Sequence, residues 1–274
     1  MPAKAGIHDL PPRRTPPKTR PMILASTTTG TGPDILLLHG LFGAAKNLGA
    51  LSRGLAKPAR VTALDLRNHG ASPHAASMSF ADMAADVRET AESLGIRSAR
   101  IAGHSLGGKV AMVLAVTAGN FVERIAVLDI APIAYRHSYD SYAAAMAAIP
   151  LSQTLTRAAA DAALAAVVEA PAMRAFLLNN LSLNPPSWRI GLPEITACLP
   201  GLMAWSDPPG ATPYSGRTLF LRGGNSDYVP DSALPAIHRL FPAARLETVA
   251  NASHWLHADQ PAATLAALET FLLP

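Results

Sequence analysis

Two residues of this chain have the type and setting for nucleophilic catalysis: Ser105, in Gly103-His104-Ser105-Leu106-Gly107, and His254, in Asn251-Ala252-Ser253-His254-Trp255. A serine hydroxyl is a weak nucleophile at neutral pH and needs a base to take its proton. A neutral imidazole can be that base, and a carboxylate behind it fixes its tautomer and supports its positive charge. Two carboxylates are placed to stand behind it. Asp129 ends the apolar run 125–128, and Asp227 lies in Gly224-Asn225-Ser226-Asp227-Tyr228. Either could orient His254, with the other hydrogen-bonded to backbone or loop. The oxyanion of a tetrahedral intermediate needs N–H donors. The Leu106 amide, next to the nucleophile, is one candidate. The loop His39-Gly40-Leu41-Phe42-Gly43 supplies the other, with the Leu41 amide favoured over that of Phe42. Because the working base is a neutral imidazole, activity is expected to rise as pH passes roughly 6.5.

Other readings of these residues are less complete. Gly103 to Lys109 also fits Gly-x4-Gly-Lys, but the next residue is Val110, so the hydroxyl that a phosphate loop uses to hold magnesium is missing. His257 reads as part of a helix start. His39 and His104 flank glycines at strand ends and read as structural or pocket-lining, and His69, in Asp65-Leu66-Arg67-Asn68-His69-Gly70, as a residue that folds its own loop. No His, Glu or Cys spacing suggests a metal site, the one cysteine excludes a thiolate cluster, and no cofactor is expected.

Elements of alternating type must position these groups. The apolar runs 35–38, 60–64, 99–102, 125–128, 218–221 and 245–249 read as strands, and residues 22–25 as a short additional one. Helical patterns cover 48–55, 80–94, 107–118, 231–240 and 261–273. Such alternation implies an α/β fold with a mainly parallel sheet covered by helices on both faces. Ser105 falls at a strand-to-helix junction, where flanking glycines permit a turn too sharp for bulkier residues. Residues 134–210 break the rhythm, with helical segments at 138–149, 156–169, 171–179 and 187–199 and no convincing strand. They are expected to form a helical cap over the site, inserted after the sixth strand, with 22–133 and 211–274 as the core.

At 274 residues, with 49% hydrophobic and 15% charged residues, the chain can bury a sizeable core. Its net charge of +4 equals that of residues 1–21 alone, which carry five bases against Asp9. The remainder is neutral, which argues against a nucleic-acid partner. That Pro-rich basic tail is expected to be disordered, and one expectation is that translation starts at Met22 instead. The single Cys198 fits a reducing, cytoplasmic setting. No apolar run reaches the roughly 18 to 20 residues that span a bilayer. Arg136, Arg157, Arg174 and Arg189 in the insert could meet the phosphate of an acyl-CoA, although exposed helix-face charges explain them more simply.

Taken together, the stretches from Leu36-Leu37-Leu38-His39-Gly40-Leu41-Phe42-Gly43 through Asp65-Leu66-Arg67-Asn68-His69-Gly70, Gly103 to Lys109 and Asp129-Ile130-Ala131-Pro132 resemble the α/β-hydrolase superfamily. Within it they resemble the YbfF-type esterases and their mitochondrial abhydrolase relatives. Phe176-Leu177-Leu178-Asn179-Asn180-Leu181, Gly223-Gly224-Asn225-Ser226 and His254-Trp255-Leu256-His257-Ala258 continue the match to the C-terminus. The chain order Ser, Asp, His is that of the superfamily. The resemblance implies hydrolysis of acyl esters or thioesters without a cofactor, with Ser105 as nucleophile and His254 as base. It favours Asp129 over Asp227 as the acid, since YbfF-type esterases place theirs there. Ser253 departs from the glycine usual before the base. Carbon–carbon bond hydrolysis on the same fold is the alternative expectation.

Overall fold

Runs such as Ile35-Leu36-Leu37-Leu38 and Ile125-Ala126-Val127-Leu128 have no polar face, so they are stable only as strands covered on both sides. In the computed structural model, which describes residues 22–136 and 138–273, they lie at the centre of a seven-stranded sheet. The strands in chain order are β1 (Ser26–Thr29), β2 (Asp34–Leu38), β3 (Arg60–Leu64), β4 (Ala99–His104) and β5 (Val122–Leu128), a separate hairpin of β6 (Leu181–Leu183) and β7 (Pro186–Trp188), then β8 (Arg217–Gly223) and β9 (Ala244–Val249). The sheet order is β1-β3-β2-β4-β5-β8-β9, and every pairing is parallel except that of β1 with β3.

Alternate residues of each strand face opposite layers. Ile35 and Leu37 join the cluster beneath α1 (Gly49–Leu55), whereas Leu36 and Leu38 join the one beneath α2 (Phe80–Ser93) and α3 (Leu106–Thr117). Helix α2 starts where the Ser79 hydroxyl accepts the Asp82 amide at 3.1 Å, which satisfies one of the free N–H groups of its first turn. α3 is buried on nearly all sides, consistent with its run of Val, Ala and Leu.

The insert between β5 and β8 carries α4 (Asp140–Ala147), α5 (Arg157–Ala165), α6 (Pro171–Leu178), the hairpin, and α7 (Leu192–Met203). After β8 come α8 (Leu234–Leu240), β9, α9 (Leu256–Asp259) and α10 (Pro261–Leu272), the last packing beside α1. Among the described residues no helix is long and apolar enough to cross a membrane.

Three expectations change. Only five strands precede the insert among the described residues, so it follows the fifth and not the sixth. The insert also holds a hairpin, whose three-residue strands, split by Asn184 and Pro185, are too short to show alternation. Residues 22–25 belong to no strand. Their amides go to side chains instead: Met22 N to Asp86 Oδ1 at 2.9 Å, Leu24 N to Thr90 Oγ1 at 2.8 Å and Ala25 N to Ser72 Oγ at 2.8 Å. The edge strand is the following Ser-Thr-Thr-Thr, exposed and therefore without an apolar signal. The expected disordered tail, 1–21, lies outside the described residues.

Candidate active site

Ser105 stands between β4 and α3 with φ 51° and ψ −115°, a left-handed backbone that L-residues avoid. Packing holds it there. The Ser105 amide donates to Leu128 O at 3.0 Å, and the Gly107 amide donates to His39 O at 3.0 Å. Neither neighbouring glycine can be replaced without moving backbone. A Cβ on Gly103 would sit 2.3 Å from Gly107 O, and one on Gly107 would sit 2.4 Å from Leu38 O. The Gly-x-Ser-x-Gly spacing is thus a steric requirement of the turn, and the turn brings Ser105 to the wall of a cavity.

His254 lines the same cavity. Its Nδ1 lies 2.8 Å from Asp129 Oδ2, and Asp129 is completely buried. That carboxylate also accepts the Gly223 amide at 2.8 Å on Oδ1 and the Ser226 hydroxyl on Oδ2, so three donors compensate its burial. Asp227 is exposed and makes no hydrogen bond or ion pair among the described residues. Geometry therefore brings Asp129, and not Asp227, to His254. On its other side His254 is held through its carbonyl, which accepts from His104 Nε2 at 2.8 Å. Ser253 puts its side chain to use: its amide and hydroxyl both donate to Asp259 Oδ2, at 2.8 and 2.5 Å, and tie the loop to α9.

In the loop after β2, the Phe42 amide donates to His69 Nε2 at 3.1 Å, and the Phe42 carbonyl accepts from Asn180 Nδ2 at 2.8 Å. Both backbone groups of Phe42 are committed. No protein acceptor meets the Leu41 amide among the described residues, and the Leu106 amide, first in α3, has no intrahelical acceptor. Two histidines brace this loop as neutral rings. His39 accepts the Leu66 amide on Nε2 at 2.9 Å and donates from Nδ1 to Gly40 O. His69, accepting on Nε2, donates from Nδ1 to Arg67 O at 2.9 Å. Burial pushes His39 down to about 4, and burial, assisted by the positive charge of His39, pushes His69 down to about 3.

A pH dependence of stability follows. Unfolded, both histidines take up a proton near pH 6.5, whereas folded they remain neutral to about pH 4 or below. Between those limits the unfolded state binds more protons, so stability is full above about 6.5 and falls with acidification by about 1.4 kcal/mol per pH unit for each histidine. Urea unfolding at pH 7 and pH 5 should show the loss, and His69→Gln should shrink it.

Sequence comparison matches the model of the alpha/beta hydrolase fold to residues 33–261. The chain belongs to the α/β-hydrolase family. It is 39% identical over 252 residues to the mouse (Mus musculus) sn-1-specific diacylglycerol lipase ABHD11, covering 88% of this chain and 81% of the relative. It is 35% identical over 239 residues to esterase YbfF of Escherichia coli K12, covering 87% and 92%. A solved structure described as a marine microorganism esterase superposes with a TM-score of 0.87 at 34% identity, over 91% of this chain and 99% of that one.

As an α/β-hydrolase, the chain builds its cavity between the sheet edge and the insert. The space is about 450 Å³ and mostly apolar, with Leu48, Phe42 and Trp255 contributed by the core and Met173, Phe176 and Tyr139 by the insert. Lys109, the residue that half-matches a phosphate loop, points away from any such role. Its ammonium donates to Leu202 O at 3.2 Å and Ala204 O at 2.9 Å, at the end of α7, between the rings of Phe80 and Tyr135. Burial lowers it to about 7. Arg174 pairs with Asp161 at 3.0 Å, and Arg157 donates to the carbonyls of Leu178 and Ala175 at the end of α6, which accounts for both without an anionic ligand. His257 lines the cavity as a half-buried ring, lowered by desolvation to about 4. Ser226, Tyr228 and Asn180 all touch the site or its supports, yet no local pattern singles them out. Only the Asn180 and Ser226 stretches carry a signal, through the family resemblance.

Proposed function

We propose that this α/β-hydrolase cleaves carboxylic esters, with thioesters inside the same chemistry, through an acyl-enzyme on Ser105. The observation that carries the reading is the 2.8 Å contact of His254 Nδ1 with the buried Asp129 carboxylate, in a cavity that Ser105 also lines. With Nδ1–H committed to Asp129, His254 keeps Nε2 free of a proton and able to accept one from Ser105. The Ser105 oxygen attacks the acyl carbon, and the carbonyl oxygen takes the negative charge against the Leu41 and Leu106 amides. His254 then returns its proton to the leaving alkoxide or thiolate. Water, deprotonated by the same imidazole, releases the acid and restores Ser105. The names of the relatives, esterase and diacylglycerol lipase, support an ester substrate.

The insert acts in this reading as a cap, with residues 134–210 roofing the cavity, and the short to medium acyl group lies against Met173 and Phe176. Each methylene buried there contributes about 0.8 kcal/mol, roughly fourfold in kcat/KM, until the cavity is full. A p-nitrophenyl ester series from acetate to palmitate tests both points. Rates should climb with chain length to a maximum before palmitate, and a fluorophosphonate should label Ser105 and abolish turnover. Hydrolysis that persists after complete labelling would refute the assignment.

A further inference from the structure

The ring of Tyr228 lies face to face with the His254 imidazole, with centroids 3.6 Å apart and planes within 18°. Tyr228 is held at both its polar ends. Its hydroxyl shares a 2.7 Å hydrogen bond with that of Tyr139, at the entry to α4, and its carbonyl accepts the Tyr135 hydroxyl at 2.7 Å. Tyr135 is itself anchored by the Ala131 amide at 2.8 Å, two residues beyond Asp129. Burial, foremost, pushes the Tyr139 and Tyr228 phenols up, so both hydroxyls stay neutral at working pH. The Tyr139 ring in turn meets Phe42 edge-on, at 6.1 Å and 82°.

We infer that Tyr228 is a positioning residue for the base: its ring fixes the plane of His254 and lends a π face to the imidazolium formed during turnover. The inference rests on His254 being the base of the proposed reaction. Among the described residues, the rings and charges around His254 leave this face to Tyr228. Asp129 meets the imidazole edge at Nδ1, and Ser105 shares its cavity. The His104 ring stands 4.8 Å away at 43°, a tilted contact, and the His257 ring packs beyond it. Desolvation keeps both of those imidazoles low, so neither competes for the proton in the acid limb of a rate profile. Asp259 is occupied by Ser253, and Asp227, on the loop of Tyr228 itself, is exposed. A cation over an aromatic face in a partly desolvated site is favoured by enough to move a titration by about half a unit to one unit.

The test is the pH dependence of kcat/KM on p-nitrophenyl butyrate for wild type, Tyr228→Leu and Tyr228→Phe, with Ser105→Ala as the reference. Replacing the ring by leucine keeps the site apolar but removes the π face. The acid limb should move to lower pH by about half a unit or more, and the plateau rate should fall about tenfold. Tyr228→Phe, which restores the face without the hydroxyl, should return the limb to its wild-type position. A Tyr228→Leu limb that coincides with wild type overturns the inference, whatever its plateau. Should that variant be insoluble, Tyr228→Met is read in its place. If Ser105→Ala instead retains the wild-type rate, the proposed reaction itself fails, an outcome distinct from failure of the stacking role.

Discussion

Asp129→Asn should lower kcat on p-nitrophenyl butyrate by about 10⁴-fold with KM little changed, while Asp227→Asn stays close to wild type. The reason lies in what each carboxylate faces. Asp129 is fully buried and accepts from three donors: His254 Nδ1, the Gly223 amide and the Ser226 hydroxyl. An asparagine there must turn an NH₂ group toward at least one of them. If it faces His254, the imidazole is driven to the tautomer with its proton on Nε2, where the base needs a bare nitrogen. If it faces Gly223, a buried N–H meets another N–H. The first arrangement disables the base while the Ser226 hydroxyl turns to accept; the second keeps the tautomer but removes the negative charge that supports the imidazolium and leaves the buried Gly223 amide unpaired. The first costs the fold less, so thermal unfolding measured alongside should fall far less than activity. Asp227 is exposed with no hydrogen bond or ion pair among the described residues, and its loss removes only a solvent-screened charge. A severe defect in Asp227→Asn would reverse the assignment of the acid.

Ser105→Ala is expected to cost more, about 10⁶-fold in kcat, and His254→Ala a similar amount. The double variant should be no worse than either single one, because the two groups perform one proton transfer between them. Additive losses would show that they act in separate steps. The residual rate should remain above that in water, since the Leu41 and Leu106 amides survive both substitutions. Intact protein mass spectrometry after fluorophosphonate treatment gives a check independent of rates: wild type should gain one adduct and Ser105→Ala none.

Much of this arrangement is legible in the residues alone. The buried strands show as uninterrupted apolar runs, and α2, α3 and α10 show by their periodicity and end signals. The Ser105 turn follows from two glycines, whose necessity the structure displays as conflicts at 2.3 and 2.4 Å. Other parts are hidden for physical reasons. β1 is a polar edge strand, exposed at all four residues, so hydrophobicity cannot mark it. The β6–β7 hairpin has three residues per strand, below the length at which alternation is visible. Asp129 and Asp227 look equivalent in sequence, because both follow apolar strands. What separates them is the tight turn after β5, where Asp129 adopts φ 52° and swings its carboxylate under His254. Tyr228 and Asn180 act across long chain separations, through contacts that no local pattern records. The choice between the Leu41 and Phe42 amides likewise depends on His69, 27 residues downstream of Phe42.

The hydrogen bond from Asn180 to the Phe42 carbonyl has a consequence for engineering. α6 ends at Leu178, and Asn180 follows as the buried link between that end of the insert and the loop bearing the Leu41 amide. An exchange of the region 134–210 for that of a relative, made to alter which acyl group is accepted, would replace one of the two clamps on Phe42 together with the cavity wall. A chimera lacking an amide side chain at that position should bind its new substrate and turn it over slowly. Selectivity and rate are joined through one residue, and a design that changes the first must carry Asn180 across unchanged.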